Sequence, residues 1–408
     1  MPDSPNNQPL LNAIPLQVHR KTDYPPMAEQ LAGLFGEVAT LRAGRSQQLR
    51  KAGRVKKHLD VLILDMWVAA NYSPSPWRMI SRNETDYRQE TRYRKIYLKH
   101  ALLLGVLDDL VDLGYVDEKR GFFDQQKGRG FQTRIKASDK LLSLLDFDIQ
   151  HITHDPEAPE EELIILRDEN GKQIDYVDDR YTEGMREDLR GYNSFLRQTN
   201  INTDGIDLRY KHDPTSITVK RIFRGDSFSG GGGRFYGGFW ENMPKQDRLR
   251  LLLEDGPVVE LDFAALHPTL AYAFKGIPLT EDPYLIDGCE RSEVKKAFLV
   301  LFNCESRQHA LNTIRSSHHI KDAATLLDKI EQKHEAVKSS FYNPSFGMTL
   351  QNTDAWIAER IIKRMTEGGI ACLPVHDSFI VNKQHEGTLR QVMDEAFYEI
   401  FLMHPSIR

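Results

Sequence analysis

The sequence predicts an α+β protein built from more than one domain, and three observations support that class. Its 408 residues are enough for two or three domains. Two apolar runs rich in β-branched and aromatic residues, VVELDF at 258–263 and LPVHDSFIV at 373–381, predict buried strands. Other stretches repeat apolar residues at helical spacing, as in HLDVLILDMWVAANY at 58–72.

Composition excludes several classes of protein. An apolar fraction of 40% with 28% charged residues is ordinary for a soluble globular chain. The net charge of -5 gives no general attraction to nucleic acid, so any basic surface must be local. Cys289, Cys304 and Cys372 have no metal-ligand spacing and fit a reducing compartment. Since no run is long enough to span a bilayer, we expect a cytoplasmic protein without a membrane partner.

The first 55 residues form a segment that ends in strongly basic sequence. Residues 41–58 contain seven Lys or Arg and no acid. Such a run indicates either a phosphate-binding surface or the solvated face of a helix. A helix with apolar periodicity follows it directly.

Residues 56–150 have the order of helices followed by a basic β-hairpin. In residues 77–99, Trp77 and three tyrosines alternate with basic residues, a pattern suited to phosphate and base contacts. An apolar helix, a strand at 115–116 and a returning strand at 131–135 come next. This order resembles a winged helix-turn-helix, and its basic hairpin predicts DNA contacts; some such domains bind only protein. The predicted DNA-binding residues of the hairpin are Lys119, Arg120, Lys127 and Arg129.

A connector separates this domain from the rest of the chain. Residues 153–162 are acidic and contain two prolines, which predicts a solvated linker. The region 151–224 that it opens is predicted to be thumb-like, with a hairpin turning at Asn170-Gly171 and a polar helix at 180–198. Glycines at 227–238 predict either a flexible loop or a close approach of backbone to a nucleic-acid strand.

Asp377 is a carboxylate inside an apolar run and therefore needs a partner. Burying an unpaired carboxylate costs several kcal/mol, so a cationic side chain or a metal ion should meet it. Asp262 lies within the other apolar strand, and two such aspartates are typical ligands of a metal pair that drives in-line phosphoryl displacement. A salt bridge to arginine is the alternative for either residue.

A triphosphate substrate would need cations, and the predicted helix at 291–303 provides them. At 100° per residue, two cations and two aromatics share one face. They are suited to holding phosphates at the helix start and stacking on a base further along. A core helix with a solvated basic end is the alternative. The four residues are Arg291, Lys295, Phe298 and Phe302.

The order of these residues resembles motifs A, B and C of the family A DNA polymerases and of the related single-subunit phage RNA polymerases. Asp262 matches motif A, Arg291 and Lys295 match motif B, and His376-Asp377 matches motif C. GGRFYGGFWENMP at 232–244 is similar to the primer-template segment, and LQNTDAWIAERIIKRM at 350–365 is similar to the helix before motif C. The resemblance implies a polymerase palm, an antiparallel sheet with helices, with reduced fingers at 225–408.

The resemblance also implies a role for each matching residue. Asp262 and Asp377 would ligate two Mg²⁺ ions, for which Mn²⁺ can substitute, and the Phe263 carbonyl would complete the metal sphere. His376 would lie at the primer terminus and Arg234 at the primer-template backbone. Gln351 would face the minor groove, and Arg291 and Lys295 would hold the incoming triphosphate.

Several positions depart from the family pattern. His267 replaces the glutamate that excludes a ribose in DNA polymerases, Asn303-Cys304 replaces Tyr-Gly, and Ser378 follows His-Asp as in the RNA polymerases. The two aspartates are only 115 positions apart. These features are similar to the compact polymerase-primases of mobile elements. The implied partners are a DNA template and primer, nucleoside triphosphates, and a helicase or small accessory replication protein.

Two other functions compete with this interpretation. Metal phosphohydrolases also use adjacent His-Asp, and here His318-His319 would have to supply the further histidine. A replication initiator or regulator could bind DNA through the winged helix and keep an inactive palm. The intact Asp262, Asp377, Arg291 and Lys295 favour an enzyme.

Overall fold

The computed structural model describes residues 12–47, 50–88, 90–124, 129–208, 212–228, 231–320 and 322–408. The chain divides into two compact units. Unit 1 consists of residues 1–162 and 205–216, and unit 2 consists of residues 163–204 and 217–408. Both helices and small sheets are present in each unit, as an α+β class requires.

Unit 1 contains four α-helices and eight short strands within the described residues. The helices are α1 (Pro25–Gly44), α2 (Ala52–Tyr72), α3 (His100–Asp112) and α4 (Asp139–Leu144). The strands are β1 (Ile14–Pro15), β2 (Arg20–Lys21), β3 (Arg78–Ile80), β4 (Val116–Lys119), β5 (Phe122–Asp124), β6 (Arg129–Phe131), β7 (Thr133–Ala137) and β8 (Thr153–His154).

The core of unit 1 forms around α2. Most of this helix is buried, and it packs against α1, α3 and β7. Its Asp65 has no exposed surface and pairs with Arg20 and with Arg78, whose Nε lies 3.0 Å from Oδ2. Such a buried charge persists because two guanidinium groups compensate it. The main sheet has the order β1-β3-β7-β4, and the β5-β6 ribbon extends the β4-β7 hairpin.

The secondary structure of unit 1 was largely predictable. The helix expected at 58–72 is present and begins earlier, at Ala52, so it includes part of the basic segment. The two hairpin strands are present, with the first at Val116–Lys119 and the second divided into β6 and β7. Four of the seven basic residues at 41–58 are held in ion pairs with carboxylates of unit 1 or its acidic connector, namely Arg42, Arg45, Lys56 and Lys57.

Unit 2 contains eight α-helices and eight strands within the described residues. The helices are α5 (Arg180–Gln198), α6 (Lys245–Arg248), α7 (Leu266–Ala273), α8 (Arg291–Leu301), α9 (Arg307–His318), α10 (Ala323–Lys333), α11 (Pro344–Glu367) and α12 (Glu386–Phe401). The strands are β9 (Ile164–Arg167), β10 (Ile201–Asn202), β11 (Lys220–Arg224), β12 (Gly232–Tyr236), β13 (Leu252–Leu253), β14 (Gly256–Asp262), β15 (Cys372–Val375) and β16 (Ser378–Asn382).

An antiparallel five-stranded sheet with the order β10-β13-β14-β16-β15 is the centre of unit 2. Helices α11 and α12 pack against each other and against this sheet. The register pairs Val258 with Asn382 at one end and Asp262 with Ser378 at the other. A separate sheet, β12-β11-β9, packs on α11. The antiparallel pairing of β14 with β16 therefore places Asp262, near the end of the first apolar run, beside the start of β16, in the middle of the second run.

Two sequence predictions in unit 2 were wrong in detail. LPVHDSFIV is two strands rather than one, because His376-Asp377 forms the tight turn between β15 and β16. The chain does turn at Asn170-Gly171, where Gly171 has a φ of 80°, but the returning segment makes only an isolated bridge from Gln173 to Arg167. Strand β9 pairs instead with β11 in parallel.

The expectation about membranes was tested only for helices. Across the residues that the structure describes, no helix is long and apolar enough to cross a bilayer.

Candidate active site

Asp262 and Asp377 lie beside each other at one end of the central sheet. Asp262 is the last residue of β14, and Asp377 immediately precedes β16, the neighbouring strand. The register pairs Asp262 with Ser378, and the Phe263 N–H donates to the Asp377 carbonyl at 3.4 Å. The backbone pairing therefore places Asp262, Phe263 and Asp377 side by side at this end of the sheet.

The two carboxylates repel each other in a partly dehydrated site. Burial and, next, the negative charge of Asp377 raise the pKa of Asp262 to about 6, although Lys245 and Lys295 oppose the rise. Burial also raises the pKa of Asp377, with Asp354 adding to the effect. Among the described residues neither carboxylate forms an ion pair. The salt-bridge alternative is thus not realised among these residues, and the side chains around the two carboxylates leave their negative charge unneutralised.

A buried ion pair supports this site from one side. Asp354 on α11 is 2% exposed and accepts from Arg234 of β12, with Nη2 at 2.6 Å and Nε at 2.9 Å from Oδ2. Arg234 Nη2 also lies 3.0 Å from Nε2 of His267, on α7. An arginine can only donate, so Nε2 must carry the lone pair and the proton lies on Nδ1. This contact fixes the neutral imidazole in one tautomer.

Arg234 therefore has a different set of contacts from the predicted one. Its guanidinium is directed inward to Asp354 and His267 rather than outward to a primer-template backbone. Its position next to His267 still connects the glycine-rich strand β12 with the aspartates, since the positive charge of Arg234 opposes the rise that burial causes in the pKa of Asp377.

His376 is an exposed residue in a strained conformation. Its φ of 58° lies in the left-handed region, which costs a non-glycine residue roughly 1–2 kcal/mol. The imidazole packs edge-on against Tyr236 of β12, with ring centroids 6.0 Å apart. The turn thus presents an accessible imidazole directly before Asp377, where the predicted primer terminus would lie.

The two predicted triphosphate-binding cations lie on α8. Lys295 is exposed, forms no ion pair among the described residues, and acts electrostatically on Asp262. Arg291 donates from Nε to Asp282 at 2.8 Å and lies over the Tyr284 ring at 5.2 Å. Arg291 is therefore already paired, whereas Lys295 is available to a ligand.

Phe298 does not occupy the predicted position at a base. Its ring is 1% exposed and packs edge-on against Tyr284, His334 and Phe341. A ring enclosed in the core cannot stack on a nucleotide without rearrangement, so Phe298 anchors α8 in this structure. Gln351 is half-buried on α11, one turn before Asp354.

The predicted DNA-binding residues of unit 1 have different environments. Lys119 is exposed at the end of β4. Arg120 is also exposed, but its guanidinium lies 2.7 Å from Glu118 and 3.7 Å from Asp108. Lys127 lies outside the described residues, and of Arg129 only the backbone, at the start of β6, is described.

The donor set at the aspartates fits hard divalent cations. Carboxylate and carbonyl oxygens are the ligands that Mg²⁺ and Mn²⁺ prefer, and Mg²⁺ usually takes one or two protein carboxylates and completes its shell with water and substrate phosphates. The described residues contain no cluster of three or more His, Cys, Asp or Glu side chains that could hold a metal. The phosphohydrolase interpretation needs helical metal-binding residues, whereas His376-Asp377 lies in a hairpin turn.

Sequence reasoning missed three residues around the site. Asp354 lies within LQNTDAW, where a carboxylate is indistinguishable by pattern from a solvated helix residue. Its position on the same predicted helix as Gln351 was the one indication that it lies near the site. Tyr284 is 4% exposed. Burial raises its pKa, and the charges of Asp262 and Asp377 add to the rise. Glu260, two residues before Asp262, forms a bidentate pair with Arg248 and accepts from Ser378 Oγ.

Comparison with known proteins does not name a family. No protein-family model matches the chain, and a search of curated proteins finds no match. Function must therefore be argued from the geometry of the site.

The uncompensated carboxylates should lower the stability of the metal-free protein. Because the folded-state pKa of Asp262 is raised from 3.8 to about 6, its ionised form destabilises the fold fully above pH of about 6, and the penalty is lost progressively as pH falls from about 6 to about 3.8. We expect Asp262→Asn to stabilise the metal-free protein at neutral pH by roughly 1 kcal/mol after allowing for solvent screening. Thermal unfolding in EDTA measures this as a rise of about 2 to 4 °C in Tm.

The same experiment contains its own control. Mg²⁺ or Mn²⁺ should raise the Tm of the natural protein and have much less effect on Asp262→Asn. Asp394 lies on α12 and its carboxylate pairs with His404. Asp394→Asn should therefore give no such gain in Tm. A lower Tm for Asp262→Asn in EDTA would mean that Asp262 is a stabilising structural residue.

Proposed function

We propose that this chain is a template-directed nucleotidyltransferase, a DNA polymerase that also begins chains as a primase. It would extend a primer on a DNA template with nucleoside triphosphates and act in the replication of a mobile element. A helicase or a small accessory replication protein is the expected partner. The order Asp262, Arg291, Lys295, His376-Asp377, which resembles motifs A, B and C of the family A polymerases, motivates the assignment.

One observation carries the proposal. Asp262 and Asp377 lie at the adjacent ends of the antiparallel strands β14 and β16, and no cationic side chain among the described residues pairs with either. This arrangement supports a palm-like sheet whose carboxylates share divalent cations. Lys295, exposed on α8 and within electrostatic reach of Asp262, supports a triphosphate beside them.

The chemistry follows from these positions. The primer 3′-hydroxyl oxygen attacks the α-phosphorus of the triphosphate, its bond to phosphorus forms as the bond to pyrophosphate breaks, and the hydroxyl proton leaves to solvent. Divalent cations, when bound, stabilise the charge on the attacking and leaving oxygens. Asp262, Asp377 and the Phe263 carbonyl would hold them. Lys295 neutralises the departing pyrophosphate, and His376 contacts the primer terminus.

His267 is the residue that would face the sugar. Its Nε2 is occupied by Arg234, so the neutral ring has only the Nδ1–H left to donate. An imidazole crowds C2′, yet it can also donate to a 2′-hydroxyl, so it discriminates less than a carboxylate. Selection by crowding alone is worth about 1–3 kcal/mol. Deoxynucleotides would therefore be preferred only modestly, which suits an enzyme that begins chains.

An inactive initiator or regulator is the rival function. Such a protein would use the winged-helix-like unit to bind DNA and would have no use for a metal site. The raised pKa values of Asp262 and Asp377 then become a stability cost without a function. Replacing either aspartate with asparagine would remove that cost, so their presence favours the enzyme.

Removing either aspartate should abolish nucleotide addition. We expect Asp262→Asn and Asp377→Asn to reduce incorporation on a primed template by about a thousandfold or more, since a lost metal ligand removes several kcal/mol of transition-state stabilisation. Incorporation of labelled nucleotide with Mg²⁺ or Mn²⁺ measures this. Asp394→Asn is the matched control and should retain natural activity.

The pH profile separates a metal-ligand role from a structural one. Protons and cations compete for Asp262, so activity at limiting Mg²⁺ should fall as pH drops through about 6. Raising Mg²⁺ should move the midpoint to lower pH. Activity in either asparagine variant close to that of the natural protein would refute the proposal, as would a midpoint that ignores Mg²⁺.

Sugar selection gives an independent test of the role of His267. We expect the ratio of kcat/KM for a matched deoxynucleotide over its ribonucleotide to be about 10 to 200. His267→Glu should raise the ratio, because a carboxylate excludes the hydroxyl. Single-nucleotide extension measures both ratios, and a ratio above about a thousand for the natural protein would show that His267 is not the selecting residue.

A further inference from the structure

The β5-β6 ribbon of unit 1 carries an exposed aromatic surface that the proposed catalysis does not use. Phe122 is 57% exposed and Phe123 is 65% exposed. Side chains of successive strand residues point to opposite faces, so the two rings lie on the two sides of the ribbon. Each side of the ribbon therefore carries one large exposed aromatic side chain.

The structure holds these rings in place. Phe122 pairs directly with Phe131 across the ribbon, and their rings stack at 5.0 Å with an interplanar angle of 21°. Phe123 lies opposite Gly130, which has no side chain to cover it. Gly121 sets the approach of the two strands, because a Cβ there would come within 2.4 Å of the Phe131 carbonyl oxygen. The rings are therefore presented on a defined ribbon.

The charge around the ribbon indicates an anionic partner. Residues 119–136 contain six Lys or Arg and one acid. Two of the six, Arg120 and Lys136, are paired with Glu118 and Asp117. Lys119 and Arg134, however, are direct cross-strand partners on β4 and β7. The two cationic side chains therefore lie on the same face of the hairpin, where one phosphate can meet both.

We propose that this ribbon binds single-stranded DNA by stacking unpaired bases on Phe122 and Phe123 while Lys119 and Arg134 contact the phosphates. Every base has a flat face, so stacking requires no sequence, and it is worth about 1–3 kcal/mol per base. Bases within a duplex are already stacked on each other and cannot meet both rings. This inference deepens the proposed function, on which it rests for the choice of DNA as the partner.

The test measures binding of the full chain without nucleotides and in EDTA, so that it does not depend on catalysis. Fluorescence anisotropy is recorded with a labelled oligo-dT strand and with a blunt duplex of equal length. Phe122→Ala with Phe123→Ala should weaken binding of the single strand by about tenfold or more and binding of the duplex by less than twofold. Tyr181→Ala removes an exposed aromatic ring of unit 2 and should change neither.

Two further variants identify stacking itself. Phe122→Leu with Phe123→Leu keeps apolar side chains without an aromatic face and should bind as weakly as the alanine variant. Phe123→Trp should keep the natural affinity, and its added indole fluorescence should be quenched by the single strand. Asp394→Asn should bind like the natural protein, and because binding is measured without nucleotides or metal, a failure of catalysis alone would leave this result unaffected.

Three results would overturn the inference. Natural single-strand affinity in the alanine variant would mean that the rings do not contact DNA. An equal loss for the duplex would mean insertion between paired bases. Natural affinity in the leucine variant, together with an unquenched Phe123→Trp, would mean that the ribbon is an apolar surface for a protein partner.

Discussion

The repulsion between Asp262 and Asp377 is the constraint on which the interpretation of unit 2 depends. The antiparallel pairing of β14 with β16 forces two carboxylates together at the end of the sheet. Burial and their mutual charge raise the pKa of Asp262 to about 6. A protein that ionises both groups at neutral pH needs positive charge from outside the chain, and divalent cations supply it most directly. The proposed catalysis and the expected instability of the metal-free site then have the same physical origin.

The arginines near Asp262 and Asp377 pair with other side chains and do not neutralise these two carboxylates. Arg234 is close enough to lower the pKa of Asp377, yet its hydrogen bonds go to Asp354 and His267. Arg248 is committed to Glu260 in the same way. Each nearby arginine therefore satisfies a structural carboxylate and leaves the two aspartates free for a ligand. Of the two lysines that act on Asp262, Lys245 lies 3.7 Å from Glu260, whereas the exposed Lys295 has no ion pair within the described part of the chain and can meet a phosphate.

Periodicity and residue type predicted most elements, because the helices and the apolar strands depend on local pattern. The turn at His376-Asp377 was missed, since only the pairing of β15 with β16 and the left-handed φ of His376 define it. The pairing of β9 with β11 was missed because parallel partners distant in sequence leave no local signal.

The sequence predicts a site residue where a charged side chain lies within an apolar strand, as Asp262 and Asp377 do. Asp354 and Glu260 were not found, because their roles arise from ion pairs with residues 120 and 12 positions away in the chain. Phe298 was assigned to a ligand although it is a core residue, since the face of a helix that meets the core cannot be told from the face that meets a substrate by spacing alone.

The central claim is that Asp262 and Asp377 together hold divalent cations, and anomalous diffraction from Mn²⁺-soaked crystals tests it most directly. The account predicts anomalous peaks within about 2.0 to 2.6 Å of oxygens of both carboxylates, with the Phe263 carbonyl as a further ligand. The peaks should strengthen when a nucleoside triphosphate is added. Peaks elsewhere, or a lysine or arginine side chain found between the two aspartates, would contradict it.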